Sequence, residues 1–128
     1  MMAPIERLAR FMATLDETHL KDIFADDVTI HENFAPFVFA GSDAVARWTS
    51  RFRDHAKNLS NLKHSFGAAQ DFHTEGTLAY FALPTTWTGQ SRGQAFHETG
   101  GWSFVLIRQN TAWRLKAYAW AVTSYEKT

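Results

Sequence analysis

The spacing of apolar positions changes period along this chain. Ile5, Leu8, Met12 and Leu15 recur at helical spacing with Ala9 beside them, and Pro4 suits a first turn, where its missing N–H costs nothing. Leu20, Ile23 and Phe24 share one face of a short second helix over about 17–25, ended by Ala25-Asp26-Asp27. The period then falls to two. Val28, Ile30 and Glu32 alternate with Thr29, His31 and Asn33, as in a half-buried strand. After a loop with Pro36, Gly41-Ser42-Asp43 opens a third helix, with Ser42 as its N-cap and Asp43 complementing its positive end. Ala44, Val45, Trp48, Phe52 and His55 form the stripe of that helix.

From Leu62 onward the pattern predicts strands near 62–73, 77–89, 92–108 and 112–124, with turns at Gly76, Gly89 and the Asn110 region. Pro84 inside the second of these predicts a bulge or an edge. Helices first and long strands after is an α+β order: a curved, mostly antiparallel sheet, with three N-terminal helices on its concave face. Such a sheet forms a cone-shaped, barrel-like roll whose wide end is a natural pocket. The 128 residues make one domain over 1–128.

Composition narrows the function classes. With no cysteine, disulfides, thiolate zinc sites and a cysteine nucleophile are excluded. Thirteen basic residues balance thirteen acidic ones, which argues against an electrostatic nucleic-acid partner. No apolar run nears the ~18 residues of a membrane span. The charged start MMAPIERLARFM lacks the apolar stretch of a signal peptide, so a cytoplasmic location is expected.

The stretch from Phe24 through Ala25-Asp26-Asp27-Val28-Thr29-Ile30-His31-Glu32, followed by a loop and Gly41-Ser42-Asp43-Ala44-Val45, resembles the nuclear transport factor 2-like superfamily. Gly101 through Arg108, then Ala112-Trp113-Arg114-Leu115, is similar to the last hairpin of that fold. The superfamily includes steroid delta-isomerases, scytalone dehydratase, limonene epoxide hydrolase and polyketide-cyclase-like (SnoaL-like) proteins. The resemblance implies the same cone, a small-molecule pocket and a homodimer. It puts Glu32 at the position of the steroid isomerases' general-base aspartate. It also puts Phe11 where they have an oxyanion tyrosine, and Gly101 where they have a protonated aspartate. Without those donors, steroid isomerisation is not expected.

The alternation independently sets Glu32 on the apolar face of Val28 and Ile30, where desolvation raises a carboxyl pKa toward neutrality. A register shift of one residue would instead turn Glu32 to solvent and His31 inward, and an inward Glu32 could also be a structural acid that simply bonds a neighbouring hydroxyl or Trp N–H. His64 shares a face with Phe66, Ala68 and Gln70, and SnoaL-like sequences often carry a histidine there. His97 is in phase with Thr99, Gly101, Ser103 and Val105; if that phase is the inner one, His97 stands at the pocket mouth with Ser103 in the wall. Against these stand a hydrogen-bonded core role for His64 and an exposed His97. His31-Glu32-Asn33-Phe34-Ala35 begins like a zincin helix but lacks the second histidine, so no metal is expected.

The residues therefore predict a pocket for a small apolar or aromatic molecule. Its chemistry would need no cofactor, with Glu32 as base, His64 or His97 as partner, and Trp48, Phe66, Trp102 and Trp120 as walls. A non-catalytic ligand binder and a protein-interaction module are the alternatives. Phe96, Trp102, Phe104 and Leu106 occupy one phase of their strand and Val105 and Ile107 the other. Two apolar faces predict a buried outer face, and hence a homodimer through the sheet.

Overall fold

The computed structural model describes residues 1–128. Helix α1 spans Ala3–Thr14, with Pro4 in its first turn and Ile5, Leu8, Ala9, Phe11 and Met12 buried. It ends where Leu15 turns left-handed and donates its N–H to Phe11 O at 2.6 Å. Helix α2 spans Ala44–Ala56 and buries Ala44, Trp48, Thr49, Phe52 and Ala56. Asp43 rather than Ser42 is its N-cap, and no side chain caps it.

There are two α-helices, not three. Over 17–25 only Glu17–Leu20 winds, as a single 3-10 turn capped by Asp16 Oδ1, which accepts from Thr18 N at 3.0 Å. Asp22 then takes φ 61°, and the chain is extended from Phe24. A left-handed residue stops a right-handed helix. The burial of Phe24 and Ala25 is that of a strand beginning, not of a helix face.

Strand β1 (Phe24–His31) and the short β2 (Val38–Phe39) precede and follow the Pro36 loop. Strands β3 (Leu59–Phe66), β4 (Gln70–Glu75), β5 (Leu78–Ser91), β6 (Gln94–Gln109) and β7 (Ala112–Lys127) complete a sheet of order β2-β1-β7-β6-β5-β3, with β4 also on β5. Only β1 and β7 pair in parallel.

The strand expected over 62–73 is broken into β3 and β4, which pair with successive halves of β5. Pro84 lies opposite the break, where its carbonyl accepts from Gly67 N at 2.8 Å. A strand residue's N–H and C=O point to the same side. The missing donor of Pro84 therefore faces the gap, and the β5–β6 ladder runs through Pro84 and Gly101 without a shift. Register shifts fall elsewhere: between Ser60 and Lys63 of β3 and between Gln70 and His73 of β4 against β5, between Phe24 and Thr29 of β1 against β7, and between β6 and β7, where Lys116 and Thr123 are extra residues on β7.

The β5–β6 turn is Arg92-Gly93, with φ 51° and 79°, rather than Gly89. Gly89 sits inside β5, where a Cβ would lie 2.9 Å from Leu62 Cδ2 and Ser60 O. It is glycine because β3 crosses too closely for a side chain.

Candidate functional site

The inner phase of β6 is Phe96, Glu98, Gly100, Trp102, Phe104 and Leu106. Its last two members close the packed core with Phe81, Leu83 and Leu115. Toward the other end the sheet and α2 diverge around a cavity of about 460 Å³. Met12 (α1), Phe52 and His55 (α2), Glu32, Asn33 and Phe34 (after β1) and Leu59 and Leu62 (β3) line one part of it. Trp87 and Ser91 (β5), Phe96, Glu98 and Trp102 (β6) and Trp120, Val122 and Tyr125 (β7) line the rest.

Gly100 makes part of this wall possible. A Cβ there would lie 2.7 Å from the Trp120 ring and would collide with Ala121 O. The Trp120 indole lies over the bare backbone and meets the Trp102 ring at 5.4 Å.

Glu32 is the chemical centre of the cavity. It follows β1 on the phase of Val28 and Ile30 and is 7% exposed. Its Oε2 accepts from Tyr118 Oη at 2.6 Å and from Trp48 Nε1 at 2.9 Å. Trp48 is fully buried on α2, and Tyr118 reaches the same oxygen from β7. Oε1 accepts no hydrogen bond within the protein and is not sealed from the cavity.

Burial pushes the Glu32 carboxyl up to about 7, against the lowering effect of the hydrogen bonds from Tyr118 and Trp48; Glu98 adds to the rise. Burial likewise raises Glu98, lowers His55 and raises the Tyr118 phenol far above its ordinary value. His55, stacked on Phe34 at 4.8 Å, is thus neutral near pH 7, and the Tyr118 hydroxyl keeps its proton. Trp102 Nε1 is buried without a partner.

The structure separates the residues expected to act together. His97 is on the outer phase of β6 and exposed, because Phe96 and Glu98 occupy the inner phase. Ser103 is likewise on the outer phase, paired with Ala82 and Ala119, and cannot belong to the wall. His64 is half-buried against Phe66 at 4.8 Å and Trp87 at 5.2 Å. It opens onto a shallow hollow with Glu6, Arg10, Ser65 and Phe66, and burial lowers its pKa. Neither His64 nor Phe66 lines the cavity, and Trp48 stands behind Glu32 rather than in the wall. Trp102 and Trp120 do line it.

Glu98, His55 and Tyr118 take positions the sequence reading gave to others. Glu98 was recoverable from its phase with Phe96 and Trp102, and His55 from its place in the α2 stripe. Tyr118 follows the bulge at Lys116, which no local pattern marks. No cluster of three His, Asp or Glu side chains has metal-binding geometry.

No protein-family model matches the chain, and no curated protein does. Solved structures match over nearly all of it. A hexachlorocyclohexane dehydrochlorinase (LinA, type 2) aligns with TM-score 0.83 at 8% identity, over 99% of this chain and 85% of the other. A Novosphingobium aromaticivorans protein assigned as an aromatic ring hydroxylase aligns with TM-score 0.78 at 18% identity, over 98% and 88%. A protein of the same organism assigned as a scytalone dehydratase aligns with TM-score 0.76 at 13% identity, over 99% and 87%. The chain shares the fold of these structures, an α+β cone with an unclosed, mostly antiparallel sheet and two helices, and this is the cone that the resemblance to the nuclear transport factor 2-like superfamily implies. No helix is long and apolar enough to cross a membrane.

Proposed function

We propose that the cavity binds a small, largely apolar or aromatic molecule and that Glu32 moves a proton on it, in an isomerisation, dehydration or cyclisation that needs no cofactor. The observation that carries this reading is the division of labour within one carboxylate. Trp48 and Tyr118 fix Oε2, which leaves Oε1 free toward the cavity. A base held in place by its second oxygen needs no reorganisation when it takes a proton. A pKa of about 7 suits transfer in either direction near neutral pH. Two structural neighbours are named for eliminations, a dehydrochlorinase and a dehydratase, and an elimination removes a proton together with a leaving group. Glu98 and His55 replace His64 and His97 as the partner groups, because they share the cavity with Glu32.

A second reading, ligand binding without turnover, draws support from the same bonds. Both donors nearest Glu32 are spent on Glu32 itself, so neither is left for a developing oxyanion. The outer face of the sheet, with half-buried Ala82, Ser103, Val105, Ala117 and Ala119, carries small, weakly polar side chains, which suits a homodimer through the sheet.

The deciding experiment pairs a thermal-shift screen of neutral terpenoids and phenols with solvent-deuterium exchange into any compound that binds. Glu32→Gln is expected to keep binding and to lose exchange by about a thousandfold. Equal exchange in both proteins would remove Glu32 from the chemistry, and binding without exchange in either would leave the second reading.

A further inference from the structure

The cavity contains carboxylates but no cation to balance them. None of its 16 lining residues is Lys or Arg, and Glu32 and Glu98 both line it. Neither carboxylate makes an ion pair; every salt bridge in the molecule lies elsewhere. Glu98 also accepts no hydrogen bond and is half-buried. A partly desolvated carboxylate without a partner is costly unless a counter-charge arrives with something else.

The surroundings of Glu98 are aromatic in register. Trp87 pairs with it across β5–β6 and Tyr125 across β6–β7, so one row of the wall reads Trp87, Glu98, Tyr125. Phe96 stacks on Tyr125 with centroids 5.7 Å apart. Aromatic rings attract cations, and a carboxylate in the same row attracts them further.

We propose that the cavity takes a cationic ligand, an aromatic or alicyclic amine whose ammonium group is held at Glu98 between Trp87 and Tyr125. This rests on the pocket reading above and narrows it to one charge class. The apolar body of the amine lies against Trp102 and Trp120. Oε1 of Glu32, free of protein partners, is a second acceptor within the same cavity. Aromatic acids of the same shape are disfavoured, since the cavity offers an anion only acids and the neutral His55. Burial holds both carboxyl groups above their ordinary range, as expected of acids still waiting for a cation.

The test is isothermal titration of the full chain with three compounds of one skeleton: naphthylmethylamine, naphthylmethanol and naphthoate. The amine is expected to bind about tenfold more tightly than the alcohol, with naphthoate weakest. Most of that tenfold advantage is expected to vanish in Glu98→Gln. The wild-type ratio of amine to alcohol decides the matter even where the variant does not fold. Equal affinity for amine and alcohol would overturn the cation proposal and leave the pocket reading standing, as would tightest binding of naphthoate. Failure of all three to bind a chain shown to be folded by circular dichroism would overturn both.

Discussion

One face of β6 carries two surfaces that differ in kind. Phe104 and Leu106 are completely buried; the Phe104 ring meets Phe81 at 5.8 Å and Tyr118 at 6.1 Å. A short way back along the strand, on the same phase, Phe96, Glu98 and Trp102 line the cavity. The first surface is filled by side chains and holds no acid. The second keeps an acid and leaves room beside it. The switch coincides with Gly100 and the extra residue Thr123 on β7, where the ladder shifts and the Trp120 ring comes down on bare backbone. Close packing excludes an unpartnered carboxylate, so the acids of the cavity are confined to the end where the sheet and α2 part.

The comparison can be broken most directly by truncation. Phe104→Ala is expected to cost about 4 kcal/mol in urea unfolding, and Phe96→Ala, beside existing space, about half of that. Equal costs would mean the two surfaces are packed alike.

A pH series sharpens it. Burial raises the Glu32 pKa from 4.5 to about 7, so the folded chain binds more protons than the unfolded one between those values. Stability therefore falls as pH rises through that window, and the full penalty is present above about pH 7. The amide in Glu32→Gln can still accept from Trp48 and Tyr118 but does not titrate. The variant should match wild type near pH 4.5 and gain on it by on the order of 3 kcal/mol by about pH 8. A pH-independent difference between the two unfolding curves would mean Glu32 is not desolvated.

The smallest effect belongs to the outer phase. His97→Ala is expected to change unfolding free energy by no more than about 0.5 kcal/mol and to leave ligand affinity alone. A larger change in either would place His97 in contact with the site.

Much of the architecture was legible because the long strands alternate plainly and the period changes where the fold does. The segment 17–25 misled because Leu20, Ile23 and Phe24 fit a helix face as well as a turn followed by a buried strand start. Only the left-handed Asp22 separates the two, and aspartate does not announce that conformation. Glu32 was legible as an acid on an apolar face. Its partners were legible in kind, a hydroxyl and a Trp N–H, but not in identity: the pattern puts Trp48 in the wall, and Tyr118 depends on a bulge. His97 and Glu98 show the limit most clearly. Adjacent residues face opposite sides, both phases of β6 are apolar, and only the pairing in three dimensions says which one faces in.

The distribution of indoles gives the molecule a built-in optical probe. Trp87, Trp102 and Trp120 line the cavity, and Trp48 donates its indole N–H to the Glu32 carboxylate. Trp113 alone lies apart, on the β6–β7 hairpin beside Arg108. Intrinsic emission is therefore weighted toward the site, and the light from Trp48 depends on the charge of the acid it touches. Occupancy of the cavity and the ionisation of its central acid can both be followed in unlabelled protein by fluorescence alone.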